Sequence, residues 1–255
     1  MNRIIKFVIL DILKNRIVLI YTLILAVLSW SIFSLEDNST KGLLTLLNVI
    51  LLIVPLVSVI FATIYQYNSA EFIELLLSQP IRRKKIWSGL FVGMTTSMIL
   101  AFIIGAGIPL LIYAPAGIGL MMLGTGCLVS AIFIAIAFLS AVLTRDKAKG
   151  IGISIMLWLF FALLYDGLIL FLMFQFSDYP IEKAMVGISA LNPLSLARIL
   201  ILLRLDVSAM MGYTGAIFKD FFGTTTGLLI SFSLLILWTI LPYYFSLLRF
   251  KRMDL

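Results

Sequence analysis

Six stretches of this chain are apolar over about 20 residues or more, the length an α-helix needs to cross the hydrocarbon of a bilayer. They cover residues 17–35, 42–65, 90–113, 119–142, 151–175 and 227–248. Hydrophobic residues make up 62% of the chain and charged residues 12%, against roughly 25% charged in soluble domains. A water-soluble fold has no place to hide that much apolar surface. The expected fold is therefore all-α and polytopic. One transmembrane domain spans 1–255, with six transmembrane helices and a long loop, 176–226, between the fifth and sixth.

The net charge of +7 could suggest nucleic acid, but the cations sit beside the spans. Arg3, Lys6, Lys14 and Arg16 precede the first. Arg82, Arg83, Lys84 and Lys85 follow the second. Arg145, Lys147 and Lys149 follow the fourth, and Arg249, Lys251 and Arg252 follow the last. The other side has Lys41, Lys183, Arg198, Arg204 and Lys219. Positive loops stay in the cytoplasm, so both termini are expected there, in a bacterial inner membrane, with no nucleic-acid partner. The first apolar run is too long for a signal-peptide core and lacks a small-x-small cleavage site after it, so it is read as a retained helix.

Two segments are expected to be helical without crossing. Residues 1–16 place Ile5, Val8, Ile9, Ile12 and Leu13 on one stripe, with Arg3, Lys6 and Lys14 off it. This is the pattern of a helix lying in the headgroup layer among anionic lipids. Residues 192–205 are apolar but carry Arg198 and Arg204, each costing roughly 2.5–3.5 kcal/mol at the bilayer centre. They are expected to form a helix on the outer surface or on the outer ends of the bundle, capped by Asn192 with Pro193 in its first turn.

Catalytic and metal chemistry finds few groups. The chain has no histidine and one cysteine, Cys127, so the commonest general base and metal ligand is missing and no internal disulfide can form. An intramembrane enzyme would need a nucleophile with its base, or a liganded metal. The expectation is a non-catalytic subunit with no metal and no cofactor of its own. Met121–Met122 and Met210–Met211 are paired thioethers that could suit Cu(I), but methionine is also a common apolar gap-filler.

The most specific segment lies within the cytoplasmic connection 66–89. Residues 68–85 read NSAEFIELLLSQPIRRKK, a short helix expected to be capped by Asn68 with Glu71 as the capping-box acid. Phe72, Leu75 and Leu76 are expected on one face, and Pro80 ends the helix. An interfacial helix with its basic flank would look similar. Beyond that pattern, Glu71, Glu74, Leu75, Leu76, Leu77, Ser78, Gln79, Pro80, Arg82, Arg83 and Lys84 resemble the signature of ABC-2 type transporter permeases. There an acid-bearing, leucine-rich helix leads through a Ser-Gln-Pro step to a basic run and the third span.

The resemblance implies a coupling helix that docks on a separate cytoplasmic ABC ATPase. Glu71, Phe72, Glu74, Leu75, Leu76, Gln79, Pro80, Arg82 and Arg83 would be its contact residues, with ATP and Mg held by the partner. The chain has no G-x-x-x-x-G-K-[ST] phosphate loop of its own. Within the family, LNPLSLARILILLRL and GYTGAIFKDFFGTTTG resemble the NosY-type permeases of nitrous oxide reductase maturation. That likeness implies a permease homodimer, a periplasmic β-helical partner, a copper chaperone and copper–sulfur cluster assembly. Asn192, Pro193, Arg198 and Arg204 would be the outer contacts. Export of a peptide, lipid or drug is the alternative, and an ion-coupled secondary transporter a further one.

Asp166 is the acid inside a predicted span. It must meet a partner, a cavity or water, as a structural hydrogen bond involving Tyr165, a point on a translocation path, or a latch. Glycines 105, 107, 117, 119, 124 and 126 include no pair four apart. Ala101 with Gly105 and Gly126 with Ser130 give the looser small-residue spacing, read as packing within the chain. Pro109 is expected to kink the third span.

Overall fold

The computed structural model describes residues 2–36, 38–144, 146–176, 182–205 and 225–252, and no strand occurs among them. Ten helices follow in order: α1 Asn2–Leu13, α2 Arg16–Leu35, α3 Ser39–Asn68, α4 Ala70–Leu77, α5 Arg83–Tyr113, α6 Ala116–Leu143, α7 Lys147–Gln175, α8 Glu182–Ala190, α9 Pro193–Arg204 and α10 Thr225–Lys251. Among the described residues six helices, α2, α3, α5, α6, α7 and α10, are long and apolar enough to cross a membrane. The six apolar runs of the sequence thus become six helices in the expected places. Residues 177–181, 206–224 and 253–255, with most of the second loop motif and Met210–Met211, lie outside the described residues.

Local chemistry fixes where several helices begin. Asn15 accepts from the Ile17 amide and Asn38 from the Thr40 amide, capping α2 and α3. Asp146 accepts from the Lys149 amide at the start of α7, and that bond holds its carboxyl below the usual range. Each cap satisfies a donor that the first turn cannot pair internally.

The fourth span is the hub. In α6, 72% of the apolar window is buried within the chain, against 6% in α7. Helices α3, α5, α10 and α9 pack around α6, whereas α7 offers most of its surface outward. Phe133 and Phe138 of α6 are fully buried, with Phe138 edge-on to Trp87 and Phe91 of α5. At the basic end, α5 also holds α10. Trp87 Nε1 donates to Ser246 Oγ, the Trp87 ring stacks on Phe250, and Arg83 donates to the Lys251 carbonyl near the end of α10.

The amphipathic α1 is docked on the bundle rather than resting on lipid alone. Ile4, Val8 and Ile12 are buried, with Ile5, Ile9 and Leu13 partly so. They face Gly89 and Gly93 of α5. A Cβ on Gly93 would meet the Val8 Cβ at 2.8 Å, and one on Gly89 would meet Ile4 Cγ2 at 3.1 Å. This is a G-x-x-x-G face, and it lies before the six glycines that the sequence pattern singled out. Tyr65 of α3 adds a hydrogen bond to Asp11 Oδ2 at 2.9 Å. Farther along α5, Gly105 touches α2, where a Cβ would lie 2.8 Å from Leu25 Cβ.

Two spans contain a π turn. In α5 it covers Ile103–Gly107, with the Ile108 amide bonding the Ile103 carbonyl, just before Pro109. The irregularity expected at Pro109 is thus taken up one turn earlier, by widening of the ladder. In α7 it covers Phe160–Leu164.

Of the two placements expected for residues 192–205, packing on the bundle fits and a surface position does not. Helices α8 and α9 form a hairpin whose tip, Leu191–Asn192, reaches Phe161, midway between Lys147 and Gln175. Most of α9 is buried. At 12 residues and a rise of 1.5 Å each it is about 18 Å long, short of the ~30 Å hydrocarbon layer. Too short to span, it is packed within the bundle, where protein covers it.

The packing of α1 makes a prediction of opposite signs at two glycines. Gly93→Ala must push α1 off α5, with a loss of ~1–3 kcal/mol from overpacking. Gly117 has open space around it, so Gly117→Ala gains roughly 0.5–1 kcal/mol from helix propensity. Melting of the purified chain in detergent should fall for the first and hold or rise for the second. Equal melting would contradict the α1 contact.

Candidate coupling surface and outer polar latch

The helix α4 follows α3 after the single residue Ser69, whose amide bonds the Tyr65 carbonyl. The predicted cap is corrected here. Asn68 is the last residue of α3, and its Oδ1 accepts from Lys147 Nζ at 2.8 Å. Ser69 stands at the N-cap of α4 without a side-chain bond. Because α3 runs to residue 68, the capping frame moves on by one. Leu77 ends the helix, three residues before Pro80.

The two faces of α4 differ sharply. Ile73 and Leu76 are buried and Phe72 is partly buried, its ring stacked on Phe7 of α1 at 5.0 Å. Glu71, Glu74, Leu75 and Ser78 are exposed, with Leu75 66% exposed. Their spacing, i, i+3, i+4 and i+7, makes one stripe. Leu75 therefore does not share the face of Phe72 and Leu76, as the sequence pattern suggested. It lies beside the two carboxylates, facing out. Gln79, Pro80 and Arg82 are also exposed, while Arg83 turns back to the α10 end.

Polar side chains tie this end of α3 to the rest of the bundle. Thr63 Oγ1 and Ser154 Oγ lie 2.8 Å apart, and Ser154 Oγ lies 2.6 Å from Ser140 Oγ. They join α3, α7 and α6. One turn on, the Tyr67 hydroxyl lies 2.7 Å from Thr144 Oγ1 and packs on Gly150. A push on α4 would load α3 and α5, α1 directly through the Phe7–Phe72 stack, and α6 and α7 by way of α3.

The other polar cluster is built around Asp166. Its Oδ2 accepts from Arg198 at 2.7 Å and its Oδ1 from Ser195 Oγ at 2.8 Å. Asn192 caps α9 through the Leu194 amide, as expected, and its Nδ2 donates to Ser195 Oγ and to the Phe161 carbonyl. The π turn makes room for that last bond. The Tyr165 amide goes to the Phe160 carbonyl, so Phe161 is not claimed by the amide four residues on. Tyr165 donates to the Ile188 carbonyl of α8 instead of meeting Asp166. The hairpin is thus clamped to α7 on both arms.

The four outer residues fall in different settings. Asn192 and Pro193 are buried within the chain, Arg198 is turned to Asp166, and Arg204 is exposed. The sequence had marked Asp166 and Arg198 separately, and 32 residues of chain kept their pairing hidden. Ser195 went unmarked. Among the described residues no group of three His, Cys, Asp or Glu side chains could hold a metal.

Because Asp166 and Arg198 meet at 2.7 Å, their contributions should be coupled rather than additive. A double-mutant cycle with Asp166→Ala and Arg198→Ala, read by melting in detergent, should show the double variant losing less than the sum of the singles. Strict additivity would mean that the pair does not hold the hairpin.

Comparison with known proteins agrees with this architecture. The family model of the ABC-2 family transporter protein matches residues 71–255, from the exposed stripe of α4 to the end of the chain. A probable ABC transporter permease protein, NosY of Pseudomonas aeruginosa, is 26% identical over 223 residues, covering 79% of this chain and 81% of that protein. Six apolar helices, a short charged helix between the second and third, and a family match over most of the chain lead to one assignment: this protein belongs to the ABC-2 family of transporter proteins, as a membrane permease subunit.

Proposed function

We propose that this chain is the permease of an ATP-binding cassette complex whose ATPase is a separate cytoplasmic protein, and that α4 is where the ATPase docks. The observation carrying this reading is the outward stripe Glu71–Glu74–Leu75–Ser78. An exposed leucine beside two carboxylates, on a helix anchored from behind, suits insertion into a groove with cations at its rim. The basic clusters support a cytoplasmic side for this end and both termini, in a bacterial inner membrane. Two permeases pair in the complex, and α7, whose sides are largely uncovered, has surface to give to such contacts. ATP and Mg stay on the ATPase. Closure of the ATPase dimer pushes α4, and the hydroxyl seam between α3, α6 and α7 carries that push into the spans.

The likeness to NosY supports a finer assignment. The chain serves copper–sulfur cluster assembly of nitrous oxide reductase, with a β-helical protein and a copper chaperone on the periplasmic side. The work done there is transport or a mechanical change, with Asp166 and Arg198 latching the hairpin that moves.

The test is co-purification. Tagged chain extracted gently from native membranes should bring down an ABC ATPase, and Glu71→Lys with Glu74→Lys should lose it while six-span assembly is retained. A β-helical periplasmic protein in the wild-type preparation supports the maturation role. No ATPase, under conditions that keep other membrane complexes intact, would overturn the docking reading.

A further inference from the structure

Between α1 and α4 runs an open cleft of about 750 Å³, within the range of small-molecule sites, roughly 300–1,000 Å³. Phe7, Phe72, Leu76 and Ile81 give it an apolar lining, and Arg3 and Gln79 supply its polar groups. Phe7 is 52% exposed, so half of its ring is left uncovered by protein. Arg3 makes no ion pair among the described residues. On the other flank of α1 a shallower groove of about 270 Å³ repeats the arrangement, with Ile5, Ile9 and Leu10 beside Lys6.

A hydrocarbon lining with one unpaired cation selects an amphiphile. A soluble anion would gain nothing from Phe7 and Phe72, and a neutral hydrocarbon nothing from Arg3. The surrounding charge is of one sign, since Lys6, Arg82, Lys84 and Lys85 are exposed nearby in sequence and the two acids of α4 point to its other face. Such an end attracts anionic lipid.

We propose that the cleft binds one anionic phospholipid of the leaflet in which α1 lies, its phosphate on Arg3 and an acyl chain along Phe7 and Phe72. The occupant fills the gap beside the Phe7–Phe72 stack and makes α1 and α4 move as one body. On the docking reading above, anionic lipid then regulates how tightly the ATPase stroke is coupled. The site itself needs only the permease.

The experiment is native mass spectrometry of the full-length permease without ATPase, titrated with phosphatidylglycerol or phosphatidylcholine in detergent. Wild type should retain one phosphatidylglycerol in preference to phosphatidylcholine. Arg3→Glu, and the milder Arg3→Gln, should weaken that retention by about fivefold or more, the scale of one cation near an anionic surface. Phe72→Ala should weaken retention of both lipids. Lys14→Glu, which removes a cation outside both grooves, should match wild type, and unchanged elution and melting confirm that each variant is folded. Equal retention by the Arg3 variants, or an equal loss with Lys14→Glu, overturns the site. Release of the lipid when the ATPase is added would make the cleft a seat for protein and overturn it as well. Because the titration omits the ATPase, failure of the docking reading would leave its result unaltered.

Discussion

The close approach of α1 to the glycine face of α5 governs the arrangement of this end of the molecule. Gly89 and Gly93 carry no side chain, so Ile4 and Val8 can reach the α5 backbone and the amphipathic helix docks sideways. The stack of Phe7 on Phe72 then gives α4 a wall to lean on, and Asp11 gives Tyr65 of α3 a partner. Without that wall, an eight-residue helix would be too short to hold its shape alone. With it, the exposed stripe is presented on a backed surface.

The two polar clusters lie toward opposite ends of the same spans and use the same physics. Inside a bilayer a buried hydroxyl or amide gains most from a protein partner, since water cannot replace one. Near α4 those partners are the neutral hydroxyls of Thr63, Ser140 and Ser154. At the hairpin they are Asp166, Arg198, Ser195 and Asn192, which hold one geometry through directed, partly ionic bonds. Helix α7 takes part in both clusters, through Ser154 and Asp166.

Much of this was legible in the sequence, and the gaps have physical causes. The spans showed because length and hydropathy alone decide them. The Asn192–Pro193 start of α9 showed because capping is local. The depth of the hairpin did not, because burial of residues 193–201 depends on α6 and α10, far away in sequence. The Asp166–Arg198 pair was hidden for the same reason. On α4 the sequence identified the segment but misjudged its faces: Phe72, Leu75 and Leu76 fit one stripe by spacing, yet Phe72 turns to Phe7 and Leu76 is buried while Leu75 stays outside. The G-x-x-x-G pair at Gly89 and Gly93, at the start of the third span, could have been read directly.

The central claim is that α4 meets its ATPase through one face and its own chain through the other. A photo-crosslinking side chain placed singly at Leu75 and at Leu76, in the intact complex in native membranes, tests it most directly. Docking through the outward stripe predicts an adduct with the ATPase from position 75, and from position 76 only crosslinks within the permease. Adducts with the ATPase from position 76 and none from position 75 would contradict it, and α4 would have to turn over before it could couple anything.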